Sequence, residues 1–185
     1  MVIKSQSAVL ANKHITLAVT LFLILACLEL RADQTSLQSR INAASSGDTI
    51  KICQGRYDGN LLVNKRLTLI GIAKPVIHGG GSGSVITIVV DSCIISGFVI
   101  EHSGSMLVNE DAGILVKSND NRIEHNDLRD VLFGIYFFNG NDNTTIDNSI
   151  AGRRHLDLGG RGSGIQIWNS QRNTFIGNTI TDVRD

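Results

Sequence analysis

Two short stretches carry side chains suited to a soft metal ion. Residues 101–112 hold His102, Met106, Glu110 and Asp111; residues 151–163 hold Arg153, Arg154, His155, Asp157 and Arg161. Imidazole binds copper well and a thioether favours Cu(I). His102, Met106 and His155 are therefore the candidate metal ligands, and copper is the candidate ion. No two of them fall at a tight metal-binding spacing, and no CxxC or zinc signature occurs. Solvated polar loops are the competing reading. Arg153, Arg154 and Arg161 are candidates for the polar rim of a binding surface. Tyr136, Phe138 and Trp168 are candidates for its apolar centre, because aromatic rings bury large area at low entropic cost.

These residues are positioned by a repeat. Asn121–Leu128, Asn143–Ile150 and Asn173–Ile180 align without gaps as N-x-[I/T/F]-x-x-N-x-[I/L]. Each follows a Gly-Ile start, at Gly113, Gly134 and Gly164, and a fainter copy begins at Cys93 with Phe98 in place of the second Asn. A period near 21 residues built from very short apolar–polar alternations predicts a parallel β-solenoid. Ile114, Ile135 and Ile165 form one inward column; Val116, Phe137 and Ile167 a second; Leu128, Ile150 and Ile180 a third. Asn126, Asn148 and Asn178 stack at a turn as a structural ladder, since Asn tolerates left-handed backbone and its amide can bond its counterpart one coil away. Leu37, Ile41 and Ala44 share one face of a helix, stopped by Gly47, that caps the open N-terminal end.

The repeat also shows where the chain leaves the solenoid. Asn126 to Gly134 is eight residues, whereas Phe98 to Gly113 is 15 and Asn148 to Gly164 is 16. Two excursions thus emerge from one corner two coils apart, with bases about 10 Å apart at ~4.8 Å per coil. They are the two stretches that carry the His, Met and Arg candidates. Tyr136, Phe138 and Trp168 fall on outward columns, as do Leu115, Lys117 and Gln166. An exposed aromatic patch is costly unless covered; a sugar, a protein partner or the excursions themselves would cover it.

Composition agrees with this architecture. The 185 residues include 19 Gly, one Pro and 15 Asn, ten of them between Asn119 and Asn178, a mix unsuited to helix interiors. Seventeen basic and 17 acidic side chains balance, and no basic stripe exists to neutralise phosphates, which excludes a nucleic-acid partner. Lys4 and Lys13 precede the uncharged run Ile15–Leu28, too short to span a bilayer comfortably at roughly 20 residues. Residues 1–32 read as a secretory signal or anchor, the chain's only membrane connection, cleaved after Ala32 or lipidated at Cys27. That leaves a domain over 33–185 with net charge −2 in the periplasm or outside the cell. In an oxidising compartment Cys53 and Cys93 either pair or stay separate buried thiols.

The run Ser46–Tyr57, SGDTIKICQGRY, followed by Leu67-Thr-Leu-Ile-Gly71, resembles the first coil of pectin-lyase-like right-handed parallel β-helices. The run Arg161–Ser170, RGSGIQIWNS, then Asn173–Asn178 and the final Arg184-Asp185, resembles the NosD family of periplasmic β-helix proteins. The resemblance spans roughly residues 36–185. It implies a non-catalytic scaffold that assists copper-centre assembly of nitrous oxide reductase together with an ABC transporter. The alternative is a carbohydrate-binding or polysaccharide-modifying β-helix. The chain departs from the family in being short: the next Gly-Ile start is due at position 186, so a C-terminally truncated solenoid is expected.

Residue chemistry supports no catalytic assignment. A glycosidase needs two carboxylates at a set separation, but Asp111, Asp130, Asp142 and Asp157 share no repeat position. A lyase or epimerase needs a base beside charge-neutralising groups. The Gly-His-Gly of pectin hydrolases and the Asp-Pro-His-Asp of alginate epimerases are both absent.

Overall fold

Apolar residues alternate with polar ones over strands of only three to six positions, so no strand can bury its apolar side chains alone. Stacking solves this. The computed structural model describes residues 36–184, so the expected signal segment and Cys27 lie outside the described residues. Three parallel sheets run the length of the solenoid. The first stacks Thr49–Ile52, Thr68–Gly71, Ile94–Ser96, Arg122–Glu124, Thr144–Ile146 and Thr174–Ile176. The second stacks Arg56–Asp58, Val76–His78, Val99–Glu101, Asp127–Arg129, Ser149–Ala151 and Thr179–Thr181. The third stacks Leu61–Val63, Ile86–Ile88, Ala112–Val116, Phe133–Phe138 and Ile165–Trp168. Strand order follows chain order in every sheet, the architecture of a right-handed parallel β-helix of six coils.

The register places like on like. Ile114 pairs with Ile135 and Ile135 with Ile165; Val116 pairs with Phe137 and Phe137 with Ile167. Leu128, Ile150 and Ile180 pair in the same way. In the inner coils these columns are sealed from solvent, and each such side chain contributes about 1.5–3 kcal/mol. Ile167 and Ile180 are exposed, because no described coil packs against their far side.

Polar columns hold the corners. The side-chain carbonyl of Asn148 accepts from the backbone N–H of Asn126 at 3.0 Å and from its amide at 3.1 Å, while the Asn148 amide donates to Ile123 O at 2.9 Å and to Asn178 Oδ1 at 2.9 Å. Asn178 likewise accepts from the Asn148 N–H at 3.1 Å. Phe98 opens the column: its ring is buried and its N–H donates to Asn126 Oδ1 at 3.1 Å. A second ladder runs through Asn121, Asn143 and Asn173. A third runs through Asp91, Asn119, Asn141 and Gln171.

The first coil is capped. Helix α1 (Leu37–Ala43) begins at Ser36, whose hydroxyl accepts from the Ser39 N–H, and buries Leu37 and Ile41 against the core. It ends at Ala43, ahead of Gly47; that glycine instead takes φ +99° in the turn into the first strand. Gln38 accepts from Leu62 N–H at 2.8 Å and donates to Leu62 O at 3.2 Å, covering the free edge of the third sheet. Cys93 is a free, fully buried thiol, so a Cys53–Cys93 bridge does not form. Burial pushes its ionisation up, against a lowering backbone hydrogen bond from Leu67.

Replacing Asn148 by Ala strands the Ile123 carbonyl and the Asn126 donors in the interior. The expected loss is ~1–3 kcal/mol, read as a lower urea midpoint with unchanged slope.

Candidate functional site

Both excursions leave the solenoid where the chain turns from the second sheet to the third. Four residues past each member of the Phe98/Asn126/Asn148 column stand His102, Asp130 and Gly152. The backbone turns sharply here: His102 has φ 62° and Asp130 φ 49°. Because they occupy the same position in successive coils, their side chains meet, with His102 Nδ1 2.6 Å from Asp130 Oδ2. A carboxylate only accepts, so Nδ1 carries a proton, and in the neutral ring Nε2 keeps its lone pair. The His78 ring stacks on His102 at 4.9 Å, inclined by 21°.

Arg153 enters one coil further on and is only 7% exposed. Its Nε donates to Asp130 Oδ1 at 3.2 Å, and its Nη2 donates to Ser103 O at 2.5 Å. This ties the second excursion to the first. Removing Asp130 would leave the buried Arg153 guanidinium without its carboxylate, although the carboxylate itself is partly exposed. Gly81, His102, Ser103, Ser105, Asp130, Arg153 and His155 line a cavity of about 240 Å³ at this corner.

The structure thus brings together His102, Arg153 and His155 and separates the remaining candidates. Met106 is exposed, does not line the cavity, and its sulfur accepts from Asn109. Among the described residues no group of three or more His, Cys, Asp or Glu is arranged to hold a metal ion. Arg154 extends into solvent 4.0 Å from Asp182, and Arg161 folds back onto Leu156 O and Arg154 O. Asp157 caps the one-turn helix Leu158–Gly160, and Asp142 pairs with Arg172. Asp130, His78 and Ser105 were missed in the sequence. Asp130 was legible by counting four residues from Asn126, since a residue one coil from His102 must touch it.

Of the covers open to the outward aromatics, the structure shows the first excursion itself for Tyr136. Tyr136 is 3% exposed and packs with Ala112, Leu115, Leu132 and Phe133 in a small second core outside the third sheet. Phe138 is half-buried against it, with Lys117 Nζ 5.4 Å from the ring centroid. The first excursion closes over this core: the Tyr136 hydroxyl donates to Glu110 Oε1 at 2.8 Å. Its return bend depends on close approach. A Cβ at Gly104 would lie 2.0 Å from Asp111 Oδ2, the carboxylate that accepts from Met106 N–H. Only Trp168 remains open, at 59% exposure. The excursions themselves meet the cost of the apolar face.

Burial, then the Glu110 carboxylate, pushes the Tyr136 phenol well above the ordinary tyrosine range. The folded state therefore favours the protonated phenol. That contribution to stability is fully present below about pH 10, where an unfolded tyrosine ionises, and is lost as pH rises beyond it. Tyr136→Phe should lower stability by ~1 kcal/mol and remove its part of the alkaline decline. Urea melts at neutral and alkaline pH check both, and proteolysis of residues 102–111 should become faster.

A protein of Pseudomonas aeruginosa named "Probable ABC transporter binding protein NosD" is 29% identical over 136 residues, which is 72% of this chain and 32% of that protein. The chain therefore spans about a third of that relative's length. A solved pectin methylesterase in complex with a hexasaccharide aligns at 13% identity with a TM-score of 0.48, over 78% of this chain and 64% of that one. The family described as "Right handed beta helix region" matches residues 71–185. With more than half its length matched and six coils stacked in three parallel sheets, this chain belongs to the right-handed β-helix family.

Proposed function

We propose that this chain is a binding scaffold of the NosD kind, working outside the cytoplasm and docking on an ABC transporter during assembly of the copper centres of nitrous oxide reductase. The observation that carries the reading is the 29% identity, over 72% of the chain, to a protein named as binding an ABC transporter. Copper is then the cargo of the assembly, and the chain needs no resident metal site.

The docking element best supported is the outer rim of the excursions. Met106, Leu107 and Val108 are exposed on the first, with Val108 at 82%; Leu158 is exposed on the second at 63%. Leu107 and Leu158 each sit in a one-turn 3-10 helix, presented on a short rigid element. Apolar side chains held this way on a scaffold suit a protein partner. The carboxylates are individually engaged: Asp111 by Met106 N–H, Asp130 by His102 and Arg153, Asp142 by Arg172, Asp157 by Gly160 N–H. Among the described residues these four are thus each tied into local structure, which supports a non-catalytic reading over hydrolysis by a carboxylate pair.

One observation favours a carbohydrate reading in addition. Trp168 keeps an open ring face on the outside of the third sheet, where sugars stack.

Titrating the purified chain against detergent-solubilised transporter, apo-reductase and acidic oligosaccharides separates these readings. Transporter or reductase binding, abolished by Val108→Glu, is the expected result. Trp168→Ala should weaken binding by roughly 2 kcal/mol if that ring is an interface anchor. Turnover of a polysaccharide that disappears on changing Asp130 would overturn the non-catalytic reading.

A further inference from the structure

Four polar groups at the corner cavity make no hydrogen bond to the described residues. Arg153 engages Asp130 through Nε and the Ser103 and Asp130 carbonyls through Nη2. Its Nη1 makes no hydrogen bond to the described residues, and no side-chain nitrogen or oxygen among them is both sealed from solvent and unbonded. Nη1 is therefore an open donor beside the cavity that Arg153 lines. His102 donates Nδ1–H to Asp130, so in its neutral form Nε2 is an acceptor. The Ser105 hydroxyl and the His155 ring line the same space, and neither makes a hydrogen bond to the described residues.

These groups define a ligand by chemistry. A guanidinium N–H and a hydroxyl suit a carboxylate. An imidazole nitrogen held as an acceptor suits a hydroxyl proton, since a carboxylate would be repelled by its lone pair. We infer that the cavity binds a small hydroxy acid, its carboxylate on Arg153 Nη1 and Ser105 and its hydroxyl donating to His102 Nε2. Charge narrows the class. Arg153 and Asp130 largely cancel, so the site accommodates a monoanion and disfavours a phosphate dianion facing the Asp130 carboxylate. Size narrows it further: about 240 Å³ lies below the usual ~300–1,000 Å³ of drug-sized pockets, which fits an acid of a few carbons. The site joins side chains from three successive coils, so it exists only in the folded solenoid. It is independent of the docking rim on the outer ends of the excursions.

The test titrates the purified chain with glycerate, propionate and inorganic phosphate while the imidazole signals of His102 and His155 are followed by NMR, with His125 as reference. Glycerate should shift His102 and His155 saturably and leave His125 unmoved. Propionate lacks the hydroxyl and should bind roughly fivefold or more weakly. His102→Asn retains a residue type tolerant of the left-handed corner and removes the Nε2 acceptor; it should erase the preference for glycerate over propionate, followed at His155. Ser105→Ala should weaken both acids by a similar factor. The inference is overturned if glycerate gives no saturable shift, if phosphate binds more tightly than glycerate, if the preference survives in folded His102→Asn, or if Ser105→Ala leaves both affinities unchanged.

Discussion

A solenoid coil has two edges, and each must be satisfied by its neighbours. Main-chain pairing does this along the strands, but at the corners the strands stop and backbone donors are left buried. Here the asparagine ladders take over. In the Asn126–Asn148–Asn178 column each side-chain carbonyl accepts the N–H of the residue one coil earlier and each amide reaches a backbone carbonyl in that earlier coil, whereas in the Asn119–Asn141 ladder the carbonyl accepts from the residue one coil later. A buried N–H without a partner costs about as much as several ordinary contacts contribute. A slip of one residue would break every corner bond and also turn the apolar columns outward. Coil register is thus set by polar groups, while the apolar columns supply most of the driving force.

Fixed register has a consequence for chemistry. Residues far apart in the chain are placed side by side whenever they occupy the same coil position, and the rigid ladder beneath them absorbs insertions without disturbance. Arg153 reaches the Ser103 carbonyl across 50 residues of sequence, and His102 reaches Asp130 across 28. The corner after the second sheet tolerates long excursions because its inner side is already closed by Val131, which packs into the main core. The excursions then do two different things: one seals the outer aromatic core through Glu110 and Tyr136, and together they wall a polar cavity. Their outer ends keep Val108 and Leu158 exposed. Structural closure and potential binding therefore occupy separate parts of the same two segments.

The two ends of the solenoid are unlike. At the N-terminal end α1 lays Leu37 and Ile41 over the core, Gln38 and Arg40 bond backbone groups of Leu62 and Lys51 that a preceding coil would otherwise meet, and Lys65 ties down the last carbonyls of the helix at Asn42 and Ala44. At the other end the last described coil presents Phe175, Ile176 and Ile180, all partly open. Phe175 still packs edge-on against Phe137 at 5.9 Å, so this coil is built on the same columns as those before it.

The repeat of Gly-Ile starts and paired asparagines was enough to read the β-helix, its inward columns and the corner from which both excursions spring, and the spacing of Leu37 and Ile41 gave the capping helix. These features follow from periodicity, because a residue type recurring once per coil must stack. The fate of the outward columns was not legible. Tyr136 and Trp168 occupy neighbouring strands of one sheet, yet one is buried and the other open. Tyr136 is closed off by the first excursion, whose fold no period encodes, whereas Trp168 pairs with Phe138 on the last described strand of that sheet, with no described strand beyond it. The metal candidates divided for the same reason: His102 sits on the corner itself and is held by the column, whereas Met106 lies where only tertiary packing decides its direction. Sequence by itself determined which residues the scaffold aligns. Only the folded excursions decided which of them meet, because contacts between irregular segments are set by packing and hydrogen bonding across coils and not by spacing along the chain.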